Sequence, residues 1–415
     1  MNFQGNFESP NPNPRGSWIL SLIRRRFRLR ESRVIRVIPF AMDLVINLFF
    51  VAAPLKAIHL GANPVELGLI GTLMAACHII FSTVSGRLSD RIGRRILIVT
   101  SPILFALTNV LMILASRVEI ILALALLNGI ALGLFWSPFQ AWVADTQSGR
   151  GLARDIGSFN MSWTVAHLTG PTISGFLFSL SSWLPFLFSA MLAAVLILVT
   201  FASIENRRSP LRSPIDLHPS KEEPGPIGFL YAAWVANFTS WFILANARYQ
   251  FPKLAWELSI GPLVIGLLIG FVGLAEFLTF FFLRMSGRWY FKKSPLFGAQ
   301  LLGALGMAAM YWGKSEVLFA LAFLLIGICC GSTYYSSLYY TVLLQKKKGV
   351  GTGLHESIVG SGALLGPILG GIAAQGFGLR APYALAFFVL LLAMTVEWNL
   401  LRNPSAKNRE IRSSS

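Results

Sequence analysis

Gly86-Arg-Leu-Ser-Asp90-Arg91-Ile-Gly93-Arg94-Arg95 is a basic turn set between two stretches, residues 67–85 and 96–114, that carry no acidic residue, lysine or arginine. Each flank reaches the ~18 apolar residues at which a helix can cross the hydrocarbon of a bilayer. A water-soluble charged hairpin would need polar flanks. The turn is therefore expected to join two transmembrane helices on one side of a membrane.

Composition leads to the same place independently. Hydrophobic residues make up 54% of the 415 and charged residues only 13%, against roughly 25% charged in an average soluble domain. Breaks in the apolar pattern place helices near 34–54, 64–85, 96–116, 119–143, 156–180, 183–203, 227–249, 261–284, 295–313, 316–342, 351–376 and 381–401. This is an all-α membrane protein of twelve spans. The net charge of +17 could suggest a nucleic-acid surface. Assigning the connections alternately to two sides instead gathers nearly all basic residues on one of them. That side holds the arginines from Arg15 to Arg36, the 86–95 loop, Arg150 and Arg154, the 205–226 linker, residues 284–293, Lys346 to Lys348 and the C-terminal tail. The other side has Lys56, Arg117, Lys253, Lys314 and Arg380. The positive-inside rule then puts both termini in the cytoplasm, with basic flanks that favour anionic membrane lipid. No nucleic-acid partner is expected. The first apolar run is too long for a signal-peptide core and lacks a small-residue cleavage site, so it reads as a span. Cys77, Cys329 and Cys330 all fall inside helices, where they read as core residues.

The chain divides at 205–226, its long polar, proline-rich interior stretch. The expected organisation is a basic cytoplasmic tail (1–33), a six-helix bundle (34–204), a cytoplasmic linker (205–226), a second six-helix bundle (227–402) and a cytoplasmic tail (403–415). The two bundles resemble each other at an offset of about 195 residues. Asn160 aligns with Glu356, Gly170-Pro171 with Gly366-Pro367, Gly175 with Gly371, and Asp43 with Asn237. Two parallel six-helix repeats are a known transporter architecture. With that repeat on the page, the spacing Gly-x-Leu-x-Asp-Arg-x-Gly-Arg-Arg of residues 86–95 resembles the helix 2–3 loop of the major facilitator superfamily, in particular its twelve-helix bacterial drug:proton antiporters. The resemblance runs from about residue 34 to 402. It implies a secondary transporter in the bacterial inner membrane, expected to be monomeric.

Gly86 and Gly93 remove side chains where helices approach and the turn is tight. Asp90 can accept hydrogen bonds from the N–H groups at a helix N-terminus, where the dipole favours an anion. The resemblance implies that this helix is number 11, near residues 351–354. Asp90, with Arg91 and Arg94 around it, would then latch the cytoplasmic ends of the two halves. A second pattern, Gly362-x-x-x-Gly366-Pro367-x-x-Gly370-Gly371, resembles the antiporter motif. Its copy in helix 5 keeps Gly170, Pro171 and Gly175 but has Ala166 and Ser174 at two glycine positions. Small residues spaced by four let backbones touch, and proline bends a helix, so plain packing is an equal reading. The family's helix 4 arginine is missing: Ala125 stands there.

Charge inside a membrane is costly, about 2.5–3.5 kcal/mol at mid-helix on insertion scales. Three carboxylates qualify: Asp43, Glu276 and Glu356. Each is a candidate proton carrier. Asn47 lies four residues from Asp43, on the same helix face. Arg248 falls at the outer end of helix 7, from which it can snorkel to the interface, with a counter-ion role as the alternative. His78, His167 and His355 read as packed histidines with a subsidiary possibility of proton relay. The resemblance implies a central cavity lined by helices 1, 4, 7 and 10. The substrate-binding candidates there are Asn47, Trp136, Gln140, Asn237, Trp241, Tyr335 and Tyr339, whose rings and few polar groups suit a partly apolar organic solute. No Walker loop, phosphate cradle or acidic metal cluster occurs. The chain is accordingly expected to be no enzyme and to need no cofactor or metal. The leading expectation is proton-linked efflux of a small organic solute by alternating access. The alternatives are uptake or facilitated diffusion of a sugar or organic acid, and a non-transporting scaffold or sensor.

Overall fold

The computed structural model describes residues 14–146, 152–204, 226–285, 287–345 and 348–402. Among them are twelve α-helices: α1 (Pro14–His59), α2 (Pro64–Ile92), α3 (Arg94–Leu114), α4 (Val118–Thr146), α5 (Leu152–Leu180), α6 (Leu184–Ser203), α7 (Gly228–Glu257), α8 (Pro262–Met285), α9 (Lys293–Trp312), α10 (Glu316–Leu344), α11 (Lys348–Phe377) and α12 (Ala381–Arg402). Ten are long and apolar enough to cross a membrane, α5 and α9 falling short. These two are rich in small and polar residues, such as Asn160, Thr164 and Ser174 of α5 and Gln300 and Gly303 of α9, which face other helices. Packing against protein lowers the hydropathy a span requires.

Four helix boundaries differ from expectation by five residues or more, one of them the end of α2, at Ile92 rather than near 85. α1 begins at Pro14 rather than near 34, because the arginine-rich segment is made of good helix formers and has no breaker between Gly16 and Pro39. α1 and α7 also run through Pro54 and Pro252 to His59 and Glu257. A proline deletes one backbone bond and bends a helix, and both segments are buried enough to stay helical. Residues 205–225 and 403–415 lie outside the described residues, as do the side chains of Arg150, Arg154 and Lys346 to Lys348.

Contacts repeat with a shift of six helices. α1 packs on α5 and α6 as α7 packs on α11 and α12; α4 touches α2 and α3 as α10 touches α8 and α9; α3 meets α6 as α9 meets α12. The two sets join through α5 against α8 and α2 against α11, which are equivalent under an exchange of sets. Local chemistry follows the repeat too. Asn63 caps α2 in a reciprocal pair with Glu66, just ahead of Pro64. Lys56 donates to the carbonyls of Met112 and Ile113 at the end of α3, and Arg380 to that of Tyr311 at the end of α9. Both cations sit at helix C-termini, where the dipole favours them.

The 86–95 segment is tighter than the expected ten-residue turn: α2 runs on to Ile92 and α3 starts at Arg94, so the chain reverses at Gly93. Gly93 adopts φ 99°, open to glycine at little cost. A Cβ on Gly86 would lie 2.9 Å from Ser137 Oγ of α4. Arg94 is buried and binds Ser89 Oγ at 2.9 Å and Asp90 Oδ1 at 3.0 Å, while Arg91 is exposed.

Candidate functional site

Asp43 lies deep in α1, 4% exposed. Asn47, one turn on, donates from Nδ2 to both the backbone O and Oδ2 of Asp43 at 2.9 Å. On its other side Oδ2 lies 3.3 Å from Nε2 of His167 in α5, whose Nδ1 lies 2.9 Å from Oε2 of Glu276 in α8. One imidazole therefore bridges two buried carboxylates, one from each helix set. A neutral imidazole has one N–H and an imidazolium two, so either form keeps at least one hydrogen bond in the bridge. Trp163 stacks edge-on against His167 with centroids 4.9 Å apart. Gly273 of α8 makes the approach possible, since a Cβ there would come within 2.4 Å of the His167 carbonyl carbon.

Asp43 and His167 line a cavity between the two sets, together with Trp136, Trp163, Trp241, Gln140, Arg248, Tyr334 and Glu356. Its volume is about 170 Å³. One water needs roughly 10–15 Å³ on that measure, so the cavity has room for an organic solute. Glu356 of α11 and Gln140 of α4 bring two further polar groups to the cavity, one from each set. Arg248 is 5% exposed, and its guanidinium stacks 4.7 Å from the Phe50 ring centroid.

Of the sequence candidates, Asp43, Trp136, Gln140, Trp241 and Glu356 face this cavity. Asn47 stands behind Asp43 as its support, and Glu276 behind His167. Asn237 is buried but is not among the lining residues. Tyr335 and Tyr339 do not line the cavity either: they pack on Trp289 at 5.6 and 5.2 Å, and Tyr339 stacks on Tyr290 at 4.5 Å. Tyr334 takes the cavity position. One residue along a helix turns the side chain by about 100°, which separates Tyr334 from Tyr335. Arg248 does not snorkel outward: α7 continues through Pro252 to Glu257, and Arg248 is buried within it. Glu397 is a fourth buried carboxylate, bonded by Gln300 between α9 and α12. Its place near the end of the last span hid it from sequence reading.

The glycine motifs hold the sets together at the end of the bundle opposite the chain termini. A Cβ on Gly68 of α2 would lie 2.3 Å from the Pro367 carbonyl oxygen of α11, and one on Gly371 lies 2.5 Å from that of Pro64. Across the other seam a Cβ on Gly175 of α5 would lie 2.3 Å from the carbonyl oxygen of Pro262 in α8, and one on Gly266 lies 2.2 Å from that of Pro171. Gln250 adds hydrogen bonds of 3.2 Å to the carbonyls of both Pro64 and Pro367. Gly170 packs on Asn47 of α1, and Gly362, Gly366 and Gly370 pack on α7 within their own sets. At the termini end the picture is looser. A Cβ on Gly353 would meet nothing within 4 Å, Leu354 is exposed, and Asp90 is 59% exposed and paired with Arg94. This is a state closed at the far end.

Comparison with known proteins fits this architecture. The family model of the Major Facilitator Superfamily matches residues 37–354 and 233–414. Multidrug resistance protein 1 of Bacillus subtilis (strain 168) is 24% identical over 365 residues, covering 80% of this chain and 89% of its own. The quinolone resistance protein NorA of Staphylococcus aureus (strain MRSA252) is 22% identical over 371 residues, with 86% and 93% covered. Among solved structures, a bacterial homolog of the human lysosomal transporter Spinster, inward-facing and occupied, superposes with TM-score 0.73 at 14% identity over 91% of this chain and 97% of that one.

Proposed function

We propose that this chain, which belongs to the Major Facilitator Superfamily, expels an amphiphilic organic solute from the cell in exchange for protons. Membership makes it an integral multi-pass secondary transporter and not an enzyme. The observation that carries the finer reading is the cavity between the two helix sets, where Trp136, Trp163 and Trp241 meet the carboxylates of Asp43 and Glu356. Aromatic walls bind an apolar body by contact area. Carboxylates buried beside them are expensive to keep, and proton exchange gives them a use. The relatives named for multidrug and quinolone resistance support the outward direction. Uptake and a scaffold role have no comparable support.

Within this reading the two six-helix sets, 34–204 and 227–402, rock about the site as a monomer in the inner membrane, in contact with its lipid. The charge distribution supports cytoplasmic termini, and the far end is then the outer face. Asp90 latches onto α11 only when the cytoplasmic end closes. Asp90→Asn should change stability by less than about 1 kcal/mol, as Asp90 is 59% exposed and the buried Arg94 keeps its bond to Ser89. It should nevertheless slow transport and raise labelling of a cysteine placed at Leu88, by an impermeant reagent, in inside-out vesicles. Labelling of that cysteine from outside intact cells would refute the orientation. Wild-type transport with unchanged labelling would leave Asp90 without a latch role.

The coupling proposal is tested with four fluorescent amphiphiles: ethidium, pyrenebutylamine, pyrenebutyramide and pyrenebutyrate. Producing cells should retain less of at least one of them than cells lacking the protein, and a collapsed proton gradient should remove the difference. Should none be expelled, the efflux reading fails. For a probe that is expelled, Asp43→Asn should fold as well as wild type, since asparagine keeps hydrogen-bonding capacity and loses the buried charge. Gradient-driven movement should disappear while exchange of probe for probe persists in proteoliposomes. Full gradient-driven accumulation by Asp43→Asn, Glu276→Gln and Glu356→Gln alike would exclude coupling through these carboxylates.

A further inference from the structure

Among the described residues Arg248 has no hydrogen-bond or ion-pair acceptor. Its guanidinium carries five N–H donors, and among the described residues no carboxylate lies within 4.0 Å of it. Nε is fully buried and unbonded, and the one packed group identified against the head is the face of Phe50. Asp43 is close enough for its charge to be felt, but its Oδ2 is already held by Asn47 and His167. Glu356 is remote. α11 and α7 run side by side with Gly362 level with Trp241 and Gly370 level with Asn246, which puts Glu356 and Arg248 roughly 20 Å apart along the helix axes.

A buried polar group normally has its partner, and a buried cation more so. Here the residue with the unbonded Nε lines a cavity of ligand size. Trp241 lies two turns before Arg248 on the same face of α7, and its Nε1 is likewise buried, unbonded and on the cavity wall. The wall between them is Leu244 and Ala245. Read along α7, the surface is an anion-seeking fork at the closed end, an apolar strip, and then an indole with a donor to spare.

We propose that Arg248 receives the carboxylate of an aromatic or amphiphilic organic anion, whose apolar body lies along Leu244, Ala245 and Trp241. The substrate class is then an organic acid carrying a ring system, and Arg248 is the residue that selects it. The planar guanidinium matches a carboxylate through two parallel N–H···O bonds. This rests on the efflux reading for the identity of the cavity, though not for the direction of transport.

The test uses the full-length protein in lipid nanodiscs, with energy transfer from cavity tryptophans to pyrene as the signal. Pyrenebutyrate, pyrenebutyramide and pyrenebutylamine share one apolar body and differ only in the head. Wild type should bind the acid roughly tenfold or more tighter than the amide, and the amine no tighter than the amide. In Arg248→Gln the acid should fall to the affinity of the amide, which stays unchanged. Arg248→Lys should keep part of the preference, because an ammonium retains the charge without the fork. Equal binding of acid and amide by wild type would overturn the proposal even if neither variant folds. So would an acid preference that survives Arg248→Gln. Expulsion of ethidium or the amide without any preference for the acid would sink this inference alone, whereas failure to bind or expel any of the four would sink the efflux reading with it.

Discussion

Gly68→Val is expected to abolish transport while leaving both helix sets folded. In the closed end of the bundle the Cβ position of Gly68 lies 2.3 Å from the Pro367 carbonyl oxygen and 2.9 Å from its carbonyl carbon. Those are backbone atoms of α11, which cannot move aside as a side-chain tip can. The clash falls between the sets, so it is relieved by parting them and not by unfolding either one. A valine should hold the far end open and stop the cycle in that state. Gly366→Val is the control. Its Cβ position lies 2.2 Å from the Phe242 carbonyl oxygen, within the C-terminal set, so that variant should lose stability by the ~1–3 kcal/mol or more of an overpacked core. Two measurements separate the cases: thermal melting of the purified proteins, and labelling of a cysteine at Ala62 from outside the cell. Gly68→Val should melt close to wild type and label faster. Transport at the wild-type rate, or unchanged labelling at Ala62, would mean that this contact is not an obligatory part of the cycle.

His167→Leu should produce the largest stability loss of any single side-chain change in the cavity. Both ring nitrogens are engaged, by Asp43 at 3.3 Å and Glu276 at 2.9 Å, and all three residues are buried. Removing the ring leaves two carboxylates facing one another without a donor between them. Deleting one member of a buried ionic or hydrogen-bonded group costs about 3–5 kcal/mol; here Glu276 loses its partner and Asp43 keeps only Asn47. Glu276→Gln in the same chain should recover part of that loss, and His167→Gln, which still donates one hydrogen bond, should lose less than leucine. Gradient-driven transport should fall in every His167 variant, since the ring is the element that can hold an extra proton between the two sets. A leucine variant with wild-type melting and undiminished gradient-driven transport would show the bridge to be incidental to both folding and coupling.

The sequence alone determined the membrane class, the spans, the repeat and the basic turn of residues 86–95, because each of these is a local signal. Hydropathy over ~20 residues is enough to mark a span, a glycine at 93 is enough to mark a turn, and small residues at spacings of four mark close helix contacts. Asp43, Glu276 and Glu356 were legible for a related reason: a carboxylate in an apolar run stands out wherever the helix goes. The tertiary structure decided which of these groups meet. His167 and Glu276 are 109 positions apart and belong to different helix sets. No periodicity within α5 or α8 indicates that one faces the other. Arg248 looked like a residue free to reach the interface, but α7 continues beyond Pro252 and Arg248 is buried within it. Tyr334 and Tyr335 differ by one position and about 100° of helix phase, and only the packing of α10 against its neighbours fixes which of the two sees the cavity. Apolar pattern sets how a helix lies in the membrane. The rotation and depth at which twelve of them interlock are set by contacts between residues far apart in the chain, and the chemistry of this site is made of those contacts.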